Sequence, residues 1–330
     1  MNNTQISVII PAYNAERTIR KALQAIQNQV GDLKAEIIVV DDGSTDDTRK
    51  IVSEMPDVKL LQQENSGPAA ARNTGARAAR GDILVFTDSD TVPHHDWLQN
   101  LTNPFLDQAI MATAGTYTIA NKENKLAQLI QKEIEIRHSS YKDYIIFAGT
   151  YNLAIRKEVF VMINGFDESY KHASGEDNDL CYRIAKLGHK IKYIACAKVA
   201  HHHPEELLNY LKTQFRHGFW RVKLYLSHPT QLTGDSYTGA FDAAETILCL
   251  LFPFAFLVSI SSKKSLFIKT AALILSLVAV GFEFLHGLTV GAGINQVVYA
   301  AAVFSLRAIF RTVGLLSGIL YFCSKFHKVK

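Results

Sequence analysis

The stretch Ile83–Thr87, followed at once by Asp88-Ser89-Asp90, constrains this chain more than any other. A strand-length apolar run with no polar alternation suits a strand covered on both faces, as in a parallel sheet. Such a strand delivers two carboxylates, one residue apart, at its carboxyl end, where ligands sit in open α/β sheets. Acids at i and i+2 of a turning segment can hold one hard divalent cation, Mg²⁺ or Mn²⁺, bridging to substrate phosphates. The same residues also read as a polar turn that caps the next helix.

Earlier segments repeat the pattern. Ile6–Ile10 reads as a buried strand stopped by Pro11-Ala12-Tyr13-Asn14, and residues 16–29 place Ile19, Leu23 and Ile26 on one helical face. Glu36–Val40 is a second strand, ending in Asp41-Asp42-Gly43-Ser44, and Val58–Leu61 a third. Gln63–Asn73 is a loop running into an alanine-rich helix. Strands alternating with helices imply an α/β domain with a mostly parallel sheet and right-handed crossovers. A dinucleotide site would need a glycine-rich turn after the first strand. Pro-Ala-Tyr-Asn has no glycine, which argues against hydride chemistry on NAD. The Tyr13 ring can stack on a base, and Asp42 can accept from an imide or a ribose, although Asp-Gly-Ser is also good turn chemistry.

Composition excludes further classes. A net charge of +4 carries no nucleic-acid footprint. Cys181, Cys196, Cys249 and Cys323 are scattered, which fits a reducing compartment and argues against a disulfide framework or a zinc site. The polar Met1–Gln5 segment lacks a signal-peptide pattern, so the N-terminal part is expected to stay in the cytosol.

Four ordered blocks, ISVIIPAYNAERTI, EIIVVDDGSTDDT, ENSGPAAARNTGARAARGDILVFTDSD and GEDNDLCYRIAKLGHKI, resemble the family 2 glycosyltransferases over roughly residues 5–203. That family has the GT-A fold and inverts the sugar linkage. The resemblance implies that Pro11, Tyr13, Asp42 and Asp88 contact the nucleotide. It implies that Asp88 and Asp90 hold Mg²⁺ or Mn²⁺ against a sugar-nucleotide diphosphate, with His201 completing the metal shell. It makes Asp177 the catalytic base, with Glu176 the alternative, and places Gly149 and Asn152 in the acceptor-side sugar pocket. The chemistry is coherent: a cation neutralises a departing diphosphate, and a base opposite it takes the acceptor's proton. An acid in the first turn of the helix expected after Gly175 is favoured as an anion by the helix dipole. Capping is the plainer role for Glu176, Asp177 and Asp179. Adjacent residues on a strand face opposite ways, so at most one or two of His201-His202-His203 can meet one ion.

Residues 204–226 read as a basic amphipathic helix with Trp220, suited to a membrane surface or a partner. Gln214–Trp220 departs in spacing from the QxxRW motif of processive members, which favours single addition. Three apolar stretches follow, Thr246–Ile260, Leu266–Val290 and Ile294–Phe322. The first is short for a span and holds Pro253; the third carries Arg307 and Arg311 one turn apart, placed either to hold a lipid phosphate or to snorkel. If residues 240–260 cross outward, Lys263, Lys264 and Lys269 fall on the wrong side for the positive-inside rule. Two or three spans are expected.

The expectation is therefore a GT-A domain over 1–235 and a membrane-associated helical region over 236–330. The first comprises a nucleotide-sugar half to about 110, an acceptor half over 111–203 and the interface helix. The expected partners are a nucleotide-sugar donor, a lipid-linked or glycan acceptor and membrane lipids, with the catalytic part facing the cytosol. A nucleotidyltransferase and a non-catalytic nucleotide-sugar-binding protein are the alternatives.

Overall fold

The computed structural model describes residues 5–30, 35–233, 265–291 and 293–326, with 244, 245, 247, 248, 251, 258 and 260. Most of the first apolar stretch, with Pro253, lies outside the described residues, as do Lys263, Lys264, Lys328 and Lys330. The chain forms two compact units, Met1–His203 and Pro204–Lys330. The expected interface helix thus clusters with the C-terminal helices.

The first unit is built on one nine-stranded sheet. Four strands form its parallel half: β1 (Ile6–Ala12), β2 (Ala35–Asp41), β3 (Val58–Gln62) and β4 (Ile83–Thr87). They lie in the order β3-β2-β1-β4. The second half holds β5 (Thr91–Pro93), β6 (Ala112–Ile119), β7 (Tyr144–Ile145), β8 (Asn152–Arg156) and β9 (Ile191–His201). β8 runs antiparallel to β4 and β6 and joins the two halves, while β6 and β9 run parallel. The β6–β9 register shifts between Ala114 and Thr116.

The strands β1, β2 and β4 are mostly buried on both faces, which is why they read as near-continuous apolar runs, whereas the edge strand β3 exposes Lys59 and Gln62. On one face Val8 and Ile10 pack with Ile19, Leu23 and Ile26 of α1 (Ile19–Gln27) and with Trp97, Leu98 and Leu101 of α4 (Trp97–Thr102). On the other, Ile9, Ile38, Leu84 and Phe86 meet Ala69, Ala71 and Ala76 of α3 (Pro68–Ala78), and Leu180 and Ile184 of α7 (Glu176–Lys186). The small residues of α3 let that helix lie close to the sheet. The remaining helices of this unit are α2 (Thr48–Ser53), α5 (Lys125–Ser139) and α6 (Lys157–Met162).

The second unit contains α8 (Leu207–Ser227), α9 (Leu266–Val290) and α10 (Ile294–Phe326). α8 and α10 touch backbone to backbone: a Cβ at Gly218 would collide with the Arg311 carbonyl, and one at Gly314 with that of Phe215. Small residues at a crossing allow this approach with or without surrounding lipid. Among the described residues one helical segment, Ile294–Ser324, is long and apolar enough to cross a bilayer.

Candidate functional site

The carboxyl ends of β1, β2 and β4 carry the expected acids and the aromatic ring. The Pro11–Asn14 turn and the Asp42–Thr45 turn are tied together, with the Asn14 N–H donating to Ser44 Oγ (3.0 Å) and the Thr45 N–H to Asn14 Oδ1 (2.9 Å). Tyr13 stands out from this platform, 53% exposed. Pro11 lies within β1, opposite Val40. Asp42 is buried, and its carboxylate is already occupied. One oxygen accepts from Gln63 Nε2 (2.7 Å) and the Ser66 N–H (2.9 Å), the other from the Gly67 N–H (2.9 Å). It therefore shapes the loop that opens α3.

Asp88 and Asp90 sit on the turn between β4 and β5. Thr91 pins that turn, its Oγ1 donating to the Asp88 carbonyl (2.7 Å) and meeting Thr87 Oγ1 at 2.8 Å. β5 pairs antiparallel with β9, setting Thr91 opposite His201, and the His202 N–H donates to the Asp90 carbonyl (3.2 Å). His201 Nε2 comes 3.5 Å from an Asp90 carboxylate oxygen. Desolvation in the cleft raises the Asp90 carboxyl above its usual range, His201 opposes that, and Asp88 adds to it. The Asp90 side chain keeps 43% of its surface.

Arg72 of α3 joins this turn to the Gly175 loop. Only 3% exposed, its guanidinium donates to Asp88 Oδ1 (2.8 Å) and to Glu176 Oε1 (3.0 Å). Desolvation alone would lower its pKa; Asp88 and Glu176 outweigh that and hold it above the ordinary arginine value. Gly175, at φ +96°, makes the left-handed turn that starts α7, a conformation L side chains rarely adopt. Glu176 is buried, and its second oxygen accepts from the Ser174 N–H (2.7 Å). Asp177 next to it is half-buried, with one oxygen accepting the Asn178 N–H (2.8 Å). Asp179 pairs with Arg183 one turn on, at 2.6 Å.

β9 ends beside an aromatic cluster. The rings of Tyr117 and Tyr151 stack at 3.4 Å, and Tyr117 lies 4.8 Å from His201. His201 and His203 share a face, their Nδ1 atoms 3.1 Å apart. Burial pushes His203 down to about 3, with His201 and His202 adding to the shift.

Asn152 is fully buried and faces no open pocket. Its amide donates to the carbonyls of Thr116 (3.2 Å) and Ala197 (2.9 Å) and accepts from Trp97 Nε1 (2.8 Å). Those carbonyls flank the β6–β9 register shift, so this side chain supplies hydrogen bonds that the ladder omits. Gly149 is buried just before it and packs against the Tyr151 ring. Arg307 does not point to a lipid phosphate either. It is wholly buried, with Nη2 2.7 Å from Glu245 Oε1 and 3.4 Å from His286 Nδ1. Arg311 Nε donates to Gln214 Oε1 (2.7 Å), and its Nη1 lies 3.6 Å from Glu245. This pair closes an internal polar cluster in the second unit, where an arginine left unpaired would be costly.

Arg72 belongs to the site, yet the sequence reading assigned it no role. The available signal was the first of two arginines, Arg72 and Arg77, in an alanine-rich helix at the ligand edge of the sheet.

With this geometry in view, comparison with known proteins is decisive for the family. A model described as "Glycosyl transferase family 2" matches residues 7–163, and a second, "N-terminal domain of galactosyltransferase", matches 133–205. Residues 7–163 of the chain form a glycosyl transferase family 2 domain. It is similar to the pre-mycofactocin glycosyltransferase of Mycobacterium tuberculosis, 30% identical over 241 residues, 69% of this chain and 49% of that protein. The chain thus spans about half the length of that relative. It is also similar to glycosyltransferase AglE of Haloferax volcanii, 29% identical over 67% of this chain and 74% of that one. Among solved structures, the mannosyltransferase PcManGT of Pyrobaculum calidifontis, in complex with GDP-Man and Mn²⁺, aligns at a TM-score of 0.60. That alignment has 18% identity and covers 96% of this chain and 87% of the neighbour, which establishes the shared GT-A fold.

Proposed function

We propose that this family 2 member is a metal-dependent inverting glycosyltransferase, moving a sugar from a nucleotide-sugar donor, UDP-linked, to a membrane-associated acceptor. The observation that carries the reading is Arg72. One buried guanidinium holds an acid of the strand-end pair and an acid of the Gly175 loop, so the donor-side and acceptor-side motifs share a single charged hinge point. Solved neighbours support the donor class: the PcManGT complex contains GDP-Man and Mn²⁺, and that of GalNAc-T7, at a TM-score of 0.51, contains UDP, GalNAc and Mn²⁺.

The residues fit a divalent cation by their donor set: two carboxylates and an imidazole, with Asp90 and His201 already converging to 3.5 Å. Asp88, Asp90 and His201 would hold it, Asp88 by the oxygen that Arg72 leaves open. When bound, Mg²⁺ or Mn²⁺ neutralises charge on the departing diphosphate. Tyr13 offers its ring to the base. Asp42 acts on the nucleotide through the 63–67 loop that it orders. Asp177, the base that the family resemblance implies, takes the acceptor hydroxyl's proton, while Glu176 is held by Arg72 and Ser174. The 31-residue apolar segment of α10 and the exposed Leu266 and Phe267 of α9 support attachment to a membrane, and with it a lipid-linked or surface-glycan acceptor.

A donor screen of the full chain with Mn²⁺ or Mg²⁺, reading nucleoside diphosphate release, tests the reading. Release from a UDP-sugar, abolished by chelation and by Asp90→Asn, is expected. Release that survives both would remove the metal role, and pyrophosphate as the product would turn the assignment to nucleotidyl transfer.

A further inference from the structure

The tautomer of His201 can be traced through hydrogen bonds that begin three side chains away. Gln131 of α5 is buried, and its Nε2 donates to the Tyr117 carbonyl (3.3 Å) and to Glu135 Oε1 (3.1 Å). Both partners are acceptors only, so the amide can point in one sense alone. Its Oε1 therefore faces His203 Nε2, at 2.9 Å, as an acceptor, and His203 must carry its proton on Nε2. His203 is 2% exposed and fixed by Asn121, which accepts its backbone N–H (3.1 Å) and donates to its carbonyl (2.8 Å). An imidazolium buried there would be expensive, so the ring is neutral and Nδ1 accepts. That acceptor sits 3.1 Å from His201 Nδ1, which must then be the donor. Once His201 has given up its second proton, as a metal ligand must, its Nε2 lone pair therefore faces the Asp90 carboxylate.

We propose that Gln131 and His203 are positioning residues, which fix His201 as the Nδ1–H tautomer and so present its Nε2 lone pair, together with Asp90, to a divalent cation. The inference rests on the reading of His201 as a cation ligand. In that form two electron pairs face each other at 3.5 Å, and a proton or a metal ion between them relieves the repulsion, so metal binding there displaces a proton. Outer hydrogen bonds orient ligating histidines in metal sites generally, and their loss typically costs about ten- to a hundredfold in metal affinity.

The test is direct Mn²⁺ binding to the full chain in detergent, followed by the electron paramagnetic resonance signal of free Mn²⁺, with the metal alone and with UDP added. His203→Leu removes the acceptor and is expected to weaken Mn²⁺ binding about ten- to a hundredfold. His203→Asn places an amide oxygen where Nδ1 stood and is expected to restore most of that affinity. Equal weakening in both variants would overturn the relay, because packing and not the acceptor would be at stake. Unchanged binding in His203→Leu with weakened binding in His201→Ala would overturn the relay alone. Unchanged binding in His201→Ala would overturn the ligand reading beneath it. Should His203→Leu fail to fold, ¹⁵N-histidine NMR of the metal-free wild type decides. A protonated Nδ1 and bare Nε2 on His201 are expected, and the opposite tautomer contradicts the proposal.

Discussion

Arg72 in the first unit and Arg307 in the second are both almost fully buried and both paired with carboxylates, yet their surroundings differ. Arg72 divides its guanidinium between Glu176, 3% exposed at the side chain, and Asp88, which keeps 28%. One end of that bridge therefore opens to the ligand cleft. Arg307 and Glu245 are exposed at 0% and 2%, so this pair is enclosed, with Gln214 and His286 beside it and Arg311, 28% exposed, at the cluster's edge. A buried pair at a cleft edge orients groups that act on a ligand, whereas an enclosed one only sets how helices pack. Removing one partner of a buried pair is costly in either place; replacing both with apolar residues is often neutral. The two bridges should part company under the second treatment.

Arg72→Leu is expected to give the largest effect. It strands Glu176 and loosens Asp88, destabilising the first unit by about 3–5 kcal/mol and lowering turnover beyond what the loss of folded protein explains. Thermal unfolding and nucleoside diphosphate release on the same preparation check this. Arg307→Leu should destabilise the second unit by a comparable amount, about 3–5 kcal/mol, while Mn²⁺ and nucleotide affinity stay at wild-type values. Adding Glu245→Leu to Arg307→Leu should recover most of the lost stability. The corresponding pair, Arg72→Leu with Glu176→Leu, should recover stability but not turnover. Recovery of turnover there would make Arg72 a mere packing element.

A smaller effect probes the first unit away from the cleft. Burial lowers the His138 pKa from 6.5 to about 4, and its Nδ1 meets Thr116 Oγ1 at 2.8 Å. The unfolded chain then binds more protons than the folded one below pH 6.5, so stability falls as the pH drops from there through about 4. The loss is on the order of 3 kcal/mol at the acid end. His138→Gln should flatten the dependence of the melting temperature on pH over that window, and an unchanged slope would show that other groups carry it.

The sheet's ligand edge was legible because β1, β2 and β4 are near-continuous apolar runs ending in acids or a turn. Ile83–Thr87 falls in the structure where its pattern placed it. The three-residue strand β5 (Thr91–Pro93), by contrast, was not legible, and the helical turns after it begin at Trp97. That strand exists because β9 is there to pair with it, and three residues carry no periodicity of their own. Asn152 was placed in the sugar pocket by the family resemblance of its strand. Its real partners, the Thr116 and Ala197 carbonyls, are exposed by a register shift that no local pattern announces. Arg72 and Gln131 went unassigned for the same reason: their partners lie far along the chain, and a lone polar residue on a helix does not say which loop it will meet.

The central claim is that the acids gathered at this edge divide the labour of sugar transfer, with Asp177 acting on the acceptor and not on the donor. The direct test is Asp177→Asn in the full chain, with donor affinity and transfer rate measured on the same sample. Unchanged donor and Mn²⁺ binding with transfer reduced by about 10²–10⁴-fold is the predicted result. Transfer at the wild-type rate would contradict it and move the proton-accepting role to another group.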